Sequence, residues 1–232
     1  FYYAKKMTDL TVIEDWDTSK VTSMYAMFEG IPNLVDISPI SGWETGNVTD
    51  MTVMFEWTGI TTLDALAGWD TSKVESTAGM FTSCDDLSDI SALAEWDISS
   101  LTDIGSMFSF IDRGIHDDLD LSGLDAWDTK NITDMSGLFY ASDVSDLSPL
   151  KKWDTGNVTT MSGTFSQARL NDQSLEDIKD WNTENVEDMD MMFFQNRITT
   201  LESLSGWETG KVTNMSEMFG NNDYVTNLTG IE

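Results

Sequence analysis

Basic residues are scarce in this sequence: 12 Lys and Arg stand against 41 Asp and Glu, a formal net charge of −29. Phosphate binding needs a positive footprint, so a nucleic-acid partner is not expected, and anionic membrane surfaces are disfavoured for the same reason. Basic protein surfaces, cationic ligands and divalent cations stay open. The plainer alternative is that the acid keeps an apolar rod soluble and separate from its neighbours. Cysteine occurs once, at Cys84, which excludes an intramolecular disulfide framework. Its place three residues after Phe81, matched by Ile31, Ile111 and Ala168, suits a small core side chain. Histidine also occurs once: His116 sits among Asp112, Asp117 and Asp118 with no nucleophile positioned beside it. A Gly-rich phosphate loop, a zinc-spaced Cys/His cluster and a nucleophile elbow are all missing, so a non-enzymatic chain is expected. Long apolar runs are absent too, leaving no candidate signal peptide or membrane span.

What the sequence does contain is one pattern written eight times. Trp16, Trp43, Trp69, Trp96, Trp127, Trp153, Trp181 and Trp207 are separated by 27, 26, 27, 31, 26, 28 and 26 residues. Aliphatic residues stand six and three positions before each Trp, from Leu10 and Ile13 to Leu201 and Leu204. Phe follows twelve positions after each, at Phe28, Phe55, Phe81, Phe108, Phe139, Phe165, Phe193 and Phe219. Offsets of 5, 8 and 11 are mainly Val, Met and Met, and every methionine except Met7 and Met191 falls in the last two columns. A unit this short cannot bury its own apolar side chains. Equivalent positions must stack on neighbouring units, which predicts a repeat solenoid of about eight 26-residue coils with Trp, Phe and Met ladders inside. Coils spaced like strands, at about 4.8 Å, make a rod only about 40 Å long.

Within a coil the apolar residues recur every third position, which is neither the strand period nor a full helical stripe. Short elements are therefore expected. The Val48–Phe55 half suits one or two helical turns entered through a Thr or Asp cap, and the Leu-x-x-Leu-x-x-Trp half suits a short parallel strand and a turn. Insertions, the longest around Asp112–Asp118, should gather on one face. Phe1 fits the Phe column of a preceding repeat, and Leu228 and Ile231 reproduce the aliphatic pair of a ninth. The expectation is a single array over 1–232, a fragment of a longer protein with partial repeats at both ends.

The string Trp153-Asp154-Thr155-Gly156-Asn157-Val158-Thr159-Thr160-Met161-Ser162-Gly163-Thr164-Phe165, with its siblings, resembles the bacterial surface protein 26-residue repeat, a group allied to the BspA-like leucine-rich-repeat surface proteins. The resemblance covers essentially the whole chain. Departures are local: Ile98 for Thr, Thr77 and Ile104 for the first Met, Thr164 for the second. It implies a leucine-rich-repeat-like right-handed solenoid with short parallel strands and short helical turns. It also implies an extracellular place on the bacterial cell surface, anchored through regions outside this sequence, and a role in adhesion or protein interaction. The family pattern holds no catalytic residues to carry over.

Three sets of side chains merit attention as sites. The residue after each ladder Trp is Asp17, Glu44, Asp70, Asp97, Asp128, Asp154, Asn182 or Glu208. Stacking lines these carboxylates up, so each either accepts backbone N–H bonds in a turn or shares a cation such as calcium with its neighbours. The adjacent Thr and the missing calcium-loop signature favour the turn. A second column, Lys20, Asn47, Lys73, Ser100, Asn131, Asn157, Asn185 and Lys211, suits an inter-coil amide ladder; Lys–Asn isopeptide formation would need an acidic catalyst that the sequence does not single out. Outside the ladders, Trp57, Phe110, Tyr140 and Phe194 follow the ladder Phe by one or two residues. They form either an exposed row able to hold a host or matrix protein, or a glycan, or a satellite cluster packed under the insertions.

Overall fold

A spacing of three is what consecutive i→i−3 hydrogen bonds produce, because such turns bring every third side chain to the same side. The computed structural model, which describes residues 1–111 and 118–226, is built this way. In the first coil Ile13 N–H donates to Leu10, Trp16 to Ile13, Val21 to Thr18 and Met27 to Met24, and the later coils repeat the scheme except at the first turn of the seventh. The inward residues of these turns are the Leu, Ile, Trp, Val and Met of the repeat, and they form one continuous core.

The short strand and turn expected of the first half appear as a turn preceded, at Thr62, Asp89 and Asp120, by single parallel bridges, and the helical turns expected of the second half do not form. The Leu-x-x-Leu half carries a short 3-10 turn, as at Thr11–Ile13, Ser38–Ile40, Asp64–Leu66 and Ser148–Leu150. The Val-to-Phe half is not helical. Residues 8, 10, 12 and 14 after the Trp donate their N–H groups to the next coil: Met51 to Ser76, Val53 to Ala78, Phe55 to Met80 and Trp57 to Thr82. Those donors cannot also close i→i−4 bonds, so no helix forms. Continuous strands are likewise lacking among the described residues. Isolated parallel bridges join coils instead, in one series from Ser23 through Asp50, Ser76, Asp103, Asp134, Thr160 and Asp188 to Asn214, and in a shorter one through Thr62, Asp89 and Asp120.

The ribbon avoids becoming a strand by alternating backbone hand. Positions 10 and 14 after every ladder Trp have positive φ: Ala26, Val53, Gly79, Ser106, Gly137, Gly163, Met191 and Glu217 in the first column, Gly30, Trp57, Ser83, Phe110, Ala141, Gln167, Gln195 and Asn221 in the second. Most are not glycine, so the conformation is imposed against local preference by the inter-coil bonds.

The aromatic ladders take their expected place. Successive Phe rings from Phe28 to Phe219 stack with centroids between 5.5 and 6.1 Å. Each buried ring contributes about 2–3 kcal/mol by leaving water. Trp43 through Trp181 are buried, and the indole Nε1 of each donates to the preceding coil, as Trp43 does to Ile13 at 3.1 Å and Trp127 to Leu93 at 2.9 Å. The outer members are looser. Trp16 is 50% exposed, with Phe1 stacked against it at 5.9 Å, while Trp207 is half-buried and its Nε1 has no partner.

Coil seven contains an α-helix, Asp172–Ile178, in place of the 3-10 turn. A longer connection from Phe165 to Leu175 gives it room, and Asn171 starts it with a reciprocal cap: its side chain accepts from Gln173 and Ser174, and Ser174 Oγ accepts from Asn171 N–H. No helix among the described residues is long and apolar enough to cross a membrane. Asp112, His116, Asp117, Leu228 and Ile231 lie outside the described residues.

Candidate functional site

Many of the aspartates lie at corners. Each coil bends three times, and at most of these bends a short polar side chain accepts the N–H two residues on. Asp36 accepts from Ser38 and Asp89 from Ser91 at the entry to the 3-10 turn. Asp17, Asp70, Asp97 and Asp154 do so just after the Trp. Asp50, Asp103, Asp134 and Asp188 do so at the parallel bridge. The hydroxyl and then the N–H of Ser19 hold the Asp17 carboxyl below its ordinary range, and Ser72 does the same for Asp70. Asp36, Asp89 and Asp97 are lowered alike, side chain first and backbone second, by the Ser two residues on. Asp103 goes the other way, since burial pushes it up.

The candidate cation column, Asp17, Glu44, Asp70, Asp97, Asp128 and Asp154, is thus largely committed to turns, and Asp128 pairs with Lys130 at 2.5 Å. Among the described residues no group of three or more His, Cys, Asp or Glu side chains is arranged to hold a metal ion. Beside it, Thr18, Thr45, Thr71, Thr129, Thr155 and Thr183 donate to the next coil's backbone. The amide groups of the second column donate to the preceding coil's backbone: Asn47 Nδ2 to Ser19, Asn131 to Ser99 and Asn157 to Lys130. Lys73 and Lys211 reach Asn47 and Asn185 at 2.8 and 2.5 Å, with Lys73, Asn47 and Lys211 exposed to water. Cys84 is fully buried, donates to the Phe55 carbonyl, and burial pushes its thiol up to about 12.

The off-ladder aromatics occupy positions 13 and 14 after the Trp, two adjacent columns that make a ledge along the solenoid. Trp57, Phe110, Tyr140 and Phe194 all lie on it, but not as one row. Phe110 and Tyr140 meet edge to face at 5.1 Å. Phe194 closes over Gly220, where an added Cβ would fall 2.8 Å from its ring. Trp57, 44% exposed, meets Tyr3 edge to face at 6.0 Å. Thr82 and Ser83 hold the ledge positions between the Trp57 and Phe110 coils, so the aromatic surface is broken there.

Around the middle group, Gly137 and Gly163 floor an open recess of about 260 Å³ walled by Phe110 and Tyr140 and rimmed by Ser106 and Asp190. Gln167 Nε2 donates to the Tyr140 hydroxyl at 3.1 Å and fixes that ring. At the other group, Glu29 and Glu56 occupy position 13 of adjacent coils; burial pushes both carboxyls up, and Glu29 repels Glu56 further. Tyr3 escaped the sequence reading, although Phe1 had already fixed the register: Tyr3 follows Phe1 as Trp57 follows Phe55.

The sequence matches the family described as "Mycoplasma protein of unknown function, DUF285", over residues 1–119 and again over 114–230. The chain belongs to this family. No curated protein matches the sequence. Among solved structures, this DUF285 chain is similar to the internalin InlF of Listeria monocytogenes at 12% identity and a TM-score of 0.40, over 97% of this chain and 71% of that one. It is also similar to internalin C2 of the same organism, at 14% identity and a TM-score of 0.36, over 92% of this chain and 77% of that one. A plant peptide hormone receptor, RGFR1 in complex with RGF2, matches at 12% identity and a TM-score of 0.45, over 95% of this chain and 33% of the receptor.

Proposed function

We propose that this DUF285 array is a non-enzymatic interaction domain of a bacterial surface protein, leucine-rich-repeat-like and right-handed in its winding, which attaches its bearer to a host or matrix protein through the ledge. One observation carries the proposal: Trp57, on the ledge, keeps a large aromatic face 44% exposed and meets Tyr3 edge to face. Aromatic side chains left half in water give up burial energy that the core would have supplied, and such groups anchor interfaces. The BspA-like resemblance supports a place outside the cell. The test is binding of the purified chain to immobilised host matrix proteins, with a Tyr3→Ser/Trp57→Asn variant beside it. Retained binding by a folded double variant would remove the ledge from the proposal.

A second reading, glycan binding, is favoured by the Phe110–Tyr140 recess, where ring walls and the rim residues Ser106 and Asp190 offer the stacking and hydrogen bonding that a sugar ring uses. A glycan array with wild type and Tyr140→Ala tests it. Silence on both panels favours a spacer that holds a neighbouring domain away from the cell.

A further inference from the structure

We infer that the notch between Tyr3 and Trp57 is a receptor for a cationic side chain from a basic segment of a partner protein, and that Lys5 fills it as an internal substitute. The inference rests on the interaction reading above and specifies its partner's chemistry. Lys5 Nζ lies 5.4 Å from the Tyr3 ring centroid and 5.2 Å from that of Trp57, so one ammonium group touches both rings. Both distances are within cation–π range.

The notch exists because Gly30 separates the two aromatics along position 14. A Cβ there would lie 2.9–3.0 Å from the Tyr3 ring, so any other residue would push that wall away. Both aromatics also take a left-handed backbone, φ 57° at Tyr3 and 56° at Trp57, where large side chains are disfavoured. At this position most other coils carry Gly, Ser, Ala, Gln or Asn, and Phe110 packs against Tyr140, while Trp57 and Tyr3 remain 44% and 40% exposed. Core burial therefore does not account for placing them there. The surroundings suit a cation: Glu29 and Glu56 neighbour the notch at position 13, and among the described residues neither forms an ion pair. A carboxylate pair already repelling itself gains from a positive neighbour.

The experiment titrates two peptides, acetyl-(Gly-Lys)4-amide and acetyl-(Gly-Glu)4-amide, into wild type, Lys5→Gln and Trp57→Asn, with thermal midpoints recorded for each. Asn tolerates the left-handed backbone, so Trp57→Asn removes the wall and leaves the turn. We expect the lysine peptide to bind Lys5→Gln at least about threefold tighter than wild type and Trp57→Asn about tenfold weaker than Lys5→Gln, with no binding of the glutamate peptide. Equal binding by all three proteins would mean general charge attraction and would overturn the inference, as would Lys5→Gln binding no tighter than wild type. Should Trp57→Asn lose its fold, the Lys5→Gln comparison decides alone. The matrix-protein panel answers separately for the interaction reading: ledge-dependent capture with flat peptide titrations would sink this inference and leave that reading standing.

Discussion

At the corners, Asp17, Asp70, Asp89 and Asp97 accept the hydroxyl and N–H of the residue two positions on, and their carboxyls titrate below the usual range. On the ledge, Glu29 and Glu56 lack such donors, and burial pushes both up, Glu56 further through repulsion by Glu29. The same functional group is thus structural in one region and uncommitted in the other. Net charge alone cannot separate these roles; much of the −29 belongs to the way the coil bends. The comparison also divides the aromatics. Ladder Phe rings are sealed between coils, whereas Trp57 and Tyr3 hold part of their surface in water.

The largest expected effect lies in the ladder. Phe108→Ala, in a fully buried ring stacked on both neighbours, should lower stability by about 3–5 kcal/mol in urea unfolding. Trp57→Asn on the ledge should change it by less than about 1 kcal/mol, and equal losses would erase the distinction between scaffold and surface.

Acid should separate the two carboxylate classes next. Corner carboxyls with lowered folded pKa values contribute stability above the unfolded value of about 4, and this contribution disappears as pH falls through the folded value. Glu29 and Glu56 have the opposite sign: their raised folded pKa values make them destabilising at neutral pH and relieve the fold as pH falls. A Glu29→Gln/Glu56→Gln variant should therefore melt higher than wild type at pH 7 and match it near pH 3. A difference that persists at pH 3 would assign the effect to something other than ionisation.

A smaller effect, about 1 kcal/mol, is expected from removing one corner acceptor, as in Asp89→Ala. Asp89→Asn should restore most of it, since the bend needs an acceptor rather than a charge, and Asn182 and Asn214 already fill corners. Failure of Asn to restore it would make the charge itself structural. The smallest effect is none: millimolar calcium should leave the thermal midpoint unchanged, and a rise would show that corner carboxylates share cations.

Much of the scaffold was legible because it depends on fixed offsets. Trp, Phe and Met columns at constant spacing demand stacking whatever the local conformation, and the single Cys84 takes the core position its column implied. The helical turns expected of the Val-to-Phe half do not form, because a period of three is common to any succession of i→i−3 turns. Glycine marks only some of the left-handed positions: Val53, Ser106, Met191 and Glu217 adopt φ near 50–56° because a neighbouring coil accepts their N–H groups or holds the ribbon around them. Sequence spacing left an exposed aromatic row and a packed cluster both open, since contact across coils depends on which intervening side chains are small, and Gly30, Thr82 and Ser83 decide that.

By itself the amino-acid sequence determined the repeat, its register and the identity of the core columns, since apolar side chains in units too short to bury them have only one another to pack against. The tertiary structure alone decided which backbone positions turn left-handed and where Tyr3, Trp57 and Lys5 meet. Those outcomes come from hydrogen bonds and contacts between residues about one or two coils apart, whose geometry no local stretch of chain contains.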